Sequence, residues 1–122
     1  MFLNVVTVAA GGAIGAACRY LCGFIPLKLN SGFPLATMLI NIIGSFCIGV
    51  IAALAQKSGR IDPRIVLFLK AGFCGGFTTF STFSLENLTL LQNGSYGTAI
   101  LYMLFSVILC IAGTAGGMAV IR

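Results

Sequence analysis

Charged residues divide the chain into long apolar stretches. Charge-free runs cover residues 1–18, 29–56, 71–85 and 87–121. A bilayer core of about 30 Å is crossed by about 20 helical residues. The pattern therefore predicts an all-α membrane protein whose single domain, residues 1–122, contains four transmembrane helices. We place them near residues 3–25, 34–55, 65–91 and 97–121.

The third predicted helix is too long and too polar in its middle for one straight span. It would run about 40 Å at 1.5 Å per residue, and residues 75–84 read GGFTTFSTFS. Glycines weaken a helix and hydroxyls can bond freed backbone groups, so we expect a broken helix near residues 75–79. A long tilted helix, whose Ser and Thr side chains bond their own carbonyls, explains the same pattern equally well.

Polar side chains also interrupt the second and fourth predicted helices. Asn41 lies in the middle third of the second helix, where an unpaired amide costs about 2 kcal/mol or more. In the fourth, Tyr102, Ser106, Cys110 and Thr114 recur every four residues and so form one stripe about 18 Å long. Hydrogen bonds between helices would explain any one of these residues. A polar pathway explains all of them together.

Small residues four apart occur in every predicted helix. They let helix backbones approach closely, as helices in lipid require, and so indicate a packed bundle. The pairs are Gly11 and Gly15, Ser45 and Gly49, Gly72 and Gly76, and Gly113 and Gly117.

Composition agrees with a membrane location and argues against an enzyme. Of the 122 residues, 59% are apolar and 7% charged, and mean hydropathy is +1.10. The chain has no His and two carboxylates, Asp62 and Glu86, so acid–base catalysis has few groups to use. The five cysteines fit small packing residues better than a metal site, and the scattered basic residues form no patch for nucleic acid.

The chain resembles the Fluc (CrcB) family of fluoride channels over essentially its whole length. The resemblance is carried by Gly11-Gly12 with Gly15-Ala16 and Arg19-Tyr20, by Asn41 with Gly44, Phe46 and Gly49, and most specifically by residues 75–84 followed by Glu86. It implies an antiparallel, dual-topology homodimer with two pores in the bacterial inner membrane, through which accumulated cytoplasmic fluoride leaks out. It also implies a structural sodium ion at the two-fold axis, bound by the carbonyls of Gly75 and Thr78.

Neutral hydrogen-bond donors suit such a pathway, because a pore must replace the water around a small anion and still release the ion. Aromatic rings have positive edges, and Phe80 and Phe83 lie three residues apart. By spacing alone both would be packing residues. The resemblance makes them the pore phenylalanines and Asn41 the pore amide. The remaining candidate donors are the hydroxyls of Ser81, Thr82, Tyr102, Ser106 and Thr114.

Some residues depart from this picture or keep open roles. Five basic residues assigned to one side (Lys57, Arg60, Arg64, Lys70 and Arg122) against two on the other (Arg19 and Lys28) favour one orientation, whereas dual topology needs near balance. Cys110 is a weak donor within the stripe. We expect Arg19 to be structural, and Glu86 to lie either in a pore vestibule or at a helix end.

Two other functions fit a short chain of four membrane helices. A proton-coupled transporter of the small multidrug type needs a carboxylate in its first helix, and none occurs between Met1 and Asn30. A membrane assembly subunit without transport would explain the packing residues, but it would leave the buried hydroxyls and Asn41 unexplained.

Overall fold

The computed structural model describes residues 1–27, 29 and 32–121. Its helices are α1 (Phe2–Cys22), α2 (Leu35–Ser58), α3 (Pro63–Leu67), a π-helix (Phe68–Cys74), α4 (Gly75–Phe77), α5 (Phe80–Gln92) and α6 (Tyr96–Ile121). Lys28 and Arg122, which entered the comparison of basic residues, lie outside the described residues.

Four helical stretches are long and apolar enough to cross a membrane, which confirms the prediction of an all-α protein with four spans. They are Phe2–Cys22, Leu35–Ser58, Pro63–Gln92 and Tyr96–Ile121. Their ends differ by no more than three residues from those predicted. The second helix continues to Ser58 and stops at Gly59, whose φ of 62° lies in the left-handed region that favours glycine.

The stretch Pro63–Gln92, called the third span below, begins with a capped helix. Asp62 Oδ1 accepts a hydrogen bond from the Arg64 backbone N–H at 2.9 Å, and Pro63 occupies the first helical position. An acceptor side chain before the first turn and a proline within it both favour helix initiation. The π-helix and α4 then follow without interruption.

Two residues with extended backbone, Thr78 and Thr79, separate α4 from α5. Their φ and ψ angles are −83° and 157° at Thr78, and −148° and 122° at Thr79. The next helix starts at Phe80, where the Thr79 hydroxyl accepts a hydrogen bond from the Thr82 N–H at 3.2 Å. Thr79 therefore acts as the N-cap of α5. We call Thr78 and Thr79 the junction.

Neighbouring helices touch through glycines, as the small-residue spacing predicted. A Cβ atom on Gly72 of the π-helix would lie 2.9 Å from the Cα of Gly11 in α1. Between α2 and α6, a Cβ atom on Gly117 would lie 3.0 Å from the backbone nitrogen of Val50. Because real side chains do not approach so closely, both contacts depend on glycine.

The last helix has one buried face and one apolar exposed face. Ala99 and Tyr102 are fully buried and pack with Met38 of α2 and Leu90 of α5. A continuous exposed apolar surface is typical of contact with a membrane. On α6 the exposed residues of the opposite face are Ile100, Leu104, Ile108 and Ile111.

Candidate functional site

Asn41 of α2 binds the backbone of Thr79 through both ends of its side-chain amide. The Thr79 N–H donates to Asn41 Oδ1 at 2.8 Å, and Asn41 Nδ2 donates to the Thr79 carbonyl at 3.1 Å. Extended backbone lacks helical partners, and an unpaired backbone group within an apolar protein is costly. Asn41 supplies those partners. A side-chain amide has two N–H groups, and this pair of bonds uses one of them.

The junction also directs two backbone donors away from Gly75 and Thr78. In a continuous α-helix the Gly75 carbonyl would accept from the N–H of Thr79, four residues later. That N–H donates to Asn41 instead. The Thr78 carbonyl would likewise accept from Thr82, whose N–H donates to the Thr79 hydroxyl. Gly75 and Thr78 thus have carbonyls without their helical donors, and the resemblance implied that these two carbonyls bind sodium.

Arg19 of α1 contacts the same region from another helix. Its Nε donates to the Gly76 carbonyl at 3.1 Å. On the junction itself, the Thr78 hydroxyl donates to the Cys74 carbonyl at 2.8 Å, and the Thr78 methyl occupies the space that a Cβ on Gly44 would need. Arg19 therefore links α1 to the third span, and its structural role stays a prediction.

A cavity of about 210 Å³ lies beside the junction, between α2, α5 and α6. Four of the predicted pathway residues line it, namely Asn41, Phe80, Phe83 and Ser106. The other lining residues are Ser45, Thr79, Val107 and Cys110. Within the described part of the chain, no charged side chain lines this space.

Ser106 brings an unpaired polar atom to the cavity. Its side chain is 4% exposed, and among the described residues its Oγ has no hydrogen-bond partner. Buried hydroxyls are almost always paired, because leaving one unpaired costs free energy. The Ser106 hydroxyl therefore lacks a partner among the described residues, and the residue lines the cavity.

The two phenylalanines of the cavity differ in their surroundings. Their ring centroids are 5.4 Å apart, with the planes at 44°. Phe83 is half-buried and packs against Tyr102, with a centroid distance of 5.0 Å. Phe80 is 77% exposed. Phe83 is thus fixed by its own chain, whereas Phe80 extends from the surface beside the cavity.

Glu86 accepts hydrogen bonds at both of its carboxylate oxygens. Tyr102 donates to Oε1 at 2.8 Å, and Thr37 donates to Oε2 at 3.0 Å. The three residues lie on α5, α6 and α2, so this cluster joins three helices. None of these three residues is among the described residues that line the 210 Å³ cavity.

Comparison with known proteins assigns the chain to a family. Residues 6–118 match the family model described as "CrcB-like protein, Camphor Resistance (CrcB)". The chain belongs to the CrcB family.

Proteins named "Fluoride-specific ion channel FluC" resemble this CrcB chain over most of their length. The chain is 45% identical to that of Ruminiclostridium cellulolyticum over 94% of its own residues and 89% of the relative's. Identity to the Cereibacter sphaeroides protein is 44%, over 100% of this chain and 97% of the relative. For Shewanella halifaxensis it is 48%, over 88% and 87%.

Four other predicted pathway residues of this CrcB chain do not themselves line the cavity, among the residues that the structure describes. Tyr102 bonds Glu86, as described, and the Thr114 hydroxyl lies 3.1 Å from the carbonyls of both Ser45 and Cys110. The hydroxyls of Ser81 and Thr82 lie 3.3 and 3.2 Å from that of Thr79. Their role as anion ligands stays a prediction.

A second polar stripe, which was not predicted from the sequence, lies on α2. Thr37, Asn41 and Ser45 recur every four residues and so share one face of α2. Thr37 bonds Glu86, Asn41 bonds Thr79, and Ser45 lines the cavity. The same four-residue spacing that revealed the stripe in the fourth helix would have revealed this one.

Side chains offer little to a metal ion here. Among the described residues, no three His, Cys, Asp or Glu side chains form a group that could hold one. Carbonyl oxygens are suitable ligands for hard cations such as sodium, particularly where a helix is unwound. The carbonyls of Gly75 and Thr78 fit this chemistry because their helical donors bond elsewhere.

Proposed function

We propose that this CrcB protein is a fluoride-selective channel through which the ion moves passively. The observation that carries the proposal is the cavity beside the junction, which combines Asn41, the unpaired Ser106 hydroxyl and two phenyl rings. The relatives named fluoride-specific ion channels support it. Because these relatives are named as channels, they also support the expectation that the chain is not an enzyme.

The chemistry of the cavity suits a small anion that gives up its water. Neutral donors can replace water around the ion yet bind it loosely enough for release. The free N–H of Asn41 and the Ser106 hydroxyl are such donors, and the edges of Phe80 and Phe83 add weak positive potential. Arg19 donates to the Gly76 carbonyl, outside the cavity lining. Anion binding by all eight predicted pathway residues is part of this proposal.

In our proposal the junction breaks the third span at membrane depth. The carbonyls of Gly75 and Thr78, which lack their helical donors, hold a structural sodium ion. Each subunit contributes the Gly75 and Thr78 carbonyls, so two copies around a two-fold axis contribute four oxygens. The ion supplies a fixed positive charge near the anion pathway. The redirected Thr79 and Thr82 donors support this assignment.

A second copy in the opposite orientation completes the channel. The ring of Phe80 is 77% exposed beside the cavity, and such a ring gains burial when a second subunit covers it. The antiparallel arrangement requires both orientations to insert. The excess of basic residues on one side of the sequence works against equal insertion. Topology is tested directly in cells by labelling cysteines engineered at the exposed Ser58 and Asn93, in a variant whose five native cysteines are replaced by serine.

The biological role follows from passive conduction. We propose that the dimer lies in the inner membrane of a bacterium, where fluoride that accumulates in the cytoplasm leaks out through it. Such a leak confers resistance to fluoride without energy coupling.

Efflux from liposomes tests the proposed function. Purified protein is reconstituted with internal fluoride or chloride, and efflux is recorded with an ion-selective electrode, with and without a proton gradient. Rapid fluoride efflux, slow chloride efflux and no effect of the proton gradient are expected. Efflux that requires a proton gradient would support the transporter, and no efflux of either ion would support the assembly subunit.

A further inference from the structure

Basic side chains cluster at the end of the molecule where α2 leads into α3. Four of the five Lys and Arg residues that the structure describes lie at or near this end, and all four are exposed: Lys57, Arg60, Arg64 and Lys70. Asp62 lies among them, and its carboxylate caps α3. Lys57 is already engaged, since its Nζ donates to the Ile121 carbonyl at 3.0 Å.

Lys70 differs from the others because it lies within a membrane span. It is seven residues beyond Pro63 in the third span, about 10 Å along the helix axis. An exposed ammonium group at such a depth is costly in lipid. Its long side chain can reach towards the headgroups, where a counter-charge lowers that cost.

A groove beside Lys70 has the chemistry of a lipid site. It measures about 490 Å³, and its other lining residues are apolar or small: Ile48, Pro63, Val66, Leu67 and Ala71. The groove begins at Pro63, next to Arg64 and the loop that contains Arg60. A negative phosphate fits the ammonium group of Lys70, and an acyl chain fits the apolar walls.

We propose that this groove binds one anionic phospholipid, with its phosphate on Lys70 and an acyl chain against Ile48 and Leu67. Basic groups at a membrane surface attract anionic lipids. Lys70 adds a specific site because it lines the groove, whereas Lys57 does not and instead bonds the Ile121 carbonyl. The site does not depend on the proposed fluoride conduction.

Native mass spectrometry of the purified protein tests the site. Micelles containing dioleoyl phosphatidylglycerol or phosphatidylcholine at equal mole fraction are compared, and the lipid-bound fraction is measured. We expect phosphatidylglycerol to bind preferentially, and Lys70→Gln to reduce its bound fraction about fivefold. Lys70→Arg keeps the charge and retains binding. Glycerol phosphate, which lacks acyl chains, does not compete at equal concentration.

Lys57→Gln is the matched control, because it removes the same charge from the same end without altering the groove. Its lipid-bound fraction stays near that of the parent protein. An equal loss in both variants would show diffuse attraction and would overturn the groove. Competition by glycerol phosphate would overturn the acyl-chain contact. Equal binding of phosphatidylglycerol and phosphatidylcholine would overturn the whole proposal, and this is the result expected if a second subunit covers Lys70.

Discussion

At the scale of single residues, Asn41 has one structural role and one proposed role, and the two use different atoms. Its Oδ1 and one N–H pair with the Thr79 backbone, and the second N–H is the group that can face the cavity. The Thr79 contacts fix the direction of the amide, so the free N–H is held in place before any ion arrives. Preorganised donors are effective because no reorganisation is needed when the ion binds.

Replacement of Asn41 by Asp tests both roles. The new carboxylate still accepts from the Thr79 N–H but places an oxygen against the Thr79 carbonyl, where Nδ2 donated. We expect a loss of stability of about 1–3 kcal/mol, and about a tenfold or greater fall in fluoride flux because a negative charge faces the anion. Thermal unfolding and liposome efflux measure the two effects.

Asn4→Asp is the control for Asn41→Asp, because Asn4 is exposed near the start of α1. It should change neither the unfolding temperature nor the flux appreciably. Parental flux in Asn41→Asp, with the protein folded, would contradict the assignment of this amide to the pathway.

The two phenylalanines should respond differently to substitution by isoleucine. Both lose a ring edge at the cavity, so Phe80→Ile and Phe83→Ile should each depress fluoride flux. Phe83 also packs against Tyr102, and loss of such an aromatic pair costs about 1 kcal/mol. Phe80 has an aromatic contact only with Phe83 and is 77% exposed, so in detergent Phe83→Ile should lower the unfolding temperature more than Phe80→Ile does.

Phe105→Ile is the matched control, since Phe105 is 47% exposed on α6 and does not line the cavity. Its flux and stability should stay near those of the parent protein. Parental flux in both Phe80→Ile and Phe83→Ile would remove the aromatic rings from the proposed mechanism.

At the scale of elements, the third span shows how side chains from other helices support irregular backbone. Thr79 caps the helix that follows it, Asn41 of α2 pairs with its backbone, and Arg19 of α1 bonds the Gly76 carbonyl. Local sequence alone left two interpretations of this segment equally good, because glycines and hydroxyls occur in both. The contacts that support Gly76 and Thr79 come from residues 57 and 38 positions away in the sequence, Arg19 and Asn41.

Two adjacent glycines of α6 give a sharp test of helix packing. A Cβ on Gly117 would meet the carbonyl oxygen of Phe46 and the nitrogen of Val50, whereas a Cβ on Gly116 would meet nothing within 4 Å. Gly117→Ala should destabilise the protein by about 1–3 kcal/mol through overpacking. Gly116→Ala should be neutral, or stabilising by up to about 1 kcal/mol, because alanine favours helix.

Thermal or denaturant unfolding in detergent measures this difference between the two alanine variants. Each adds one methyl group to the same helix, so changes in helix propensity and hydrophobicity are matched. Equal stability of the two proteins would show that α2 and α6 are not held as closely as their backbones indicate.

At the scale of the whole molecule, the sequence predicts the spans better than the site. The length of an apolar run is set by the thickness of the bilayer, so the four helices and their approximate ends could be predicted from the sequence. The site depends on which side chains meet. Depth within its span singled out Asn41, four-residue spacing singled out Ser106, and the resemblance singled out Phe80 and Phe83. The pairing of Glu86 with Thr37 and Tyr102 joins three helices and has no local signal.

The proposed sodium ion makes the last prediction, which belongs to the assembled dimer. One subunit offers the Gly75 and Thr78 carbonyls, and two oxygens hold a hard cation poorly, so the ion and the second subunit should stabilise one another. Replacing sodium with N-methylglucamine during purification and efflux should lower both the dimer fraction and the fluoride flux. Restoring sodium before the dimer dissociates should recover the flux. If flux and dimer fraction are unchanged without sodium, the ion has no role in either. If flux falls while the dimer stays intact, the ion acts on the anion pathway alone.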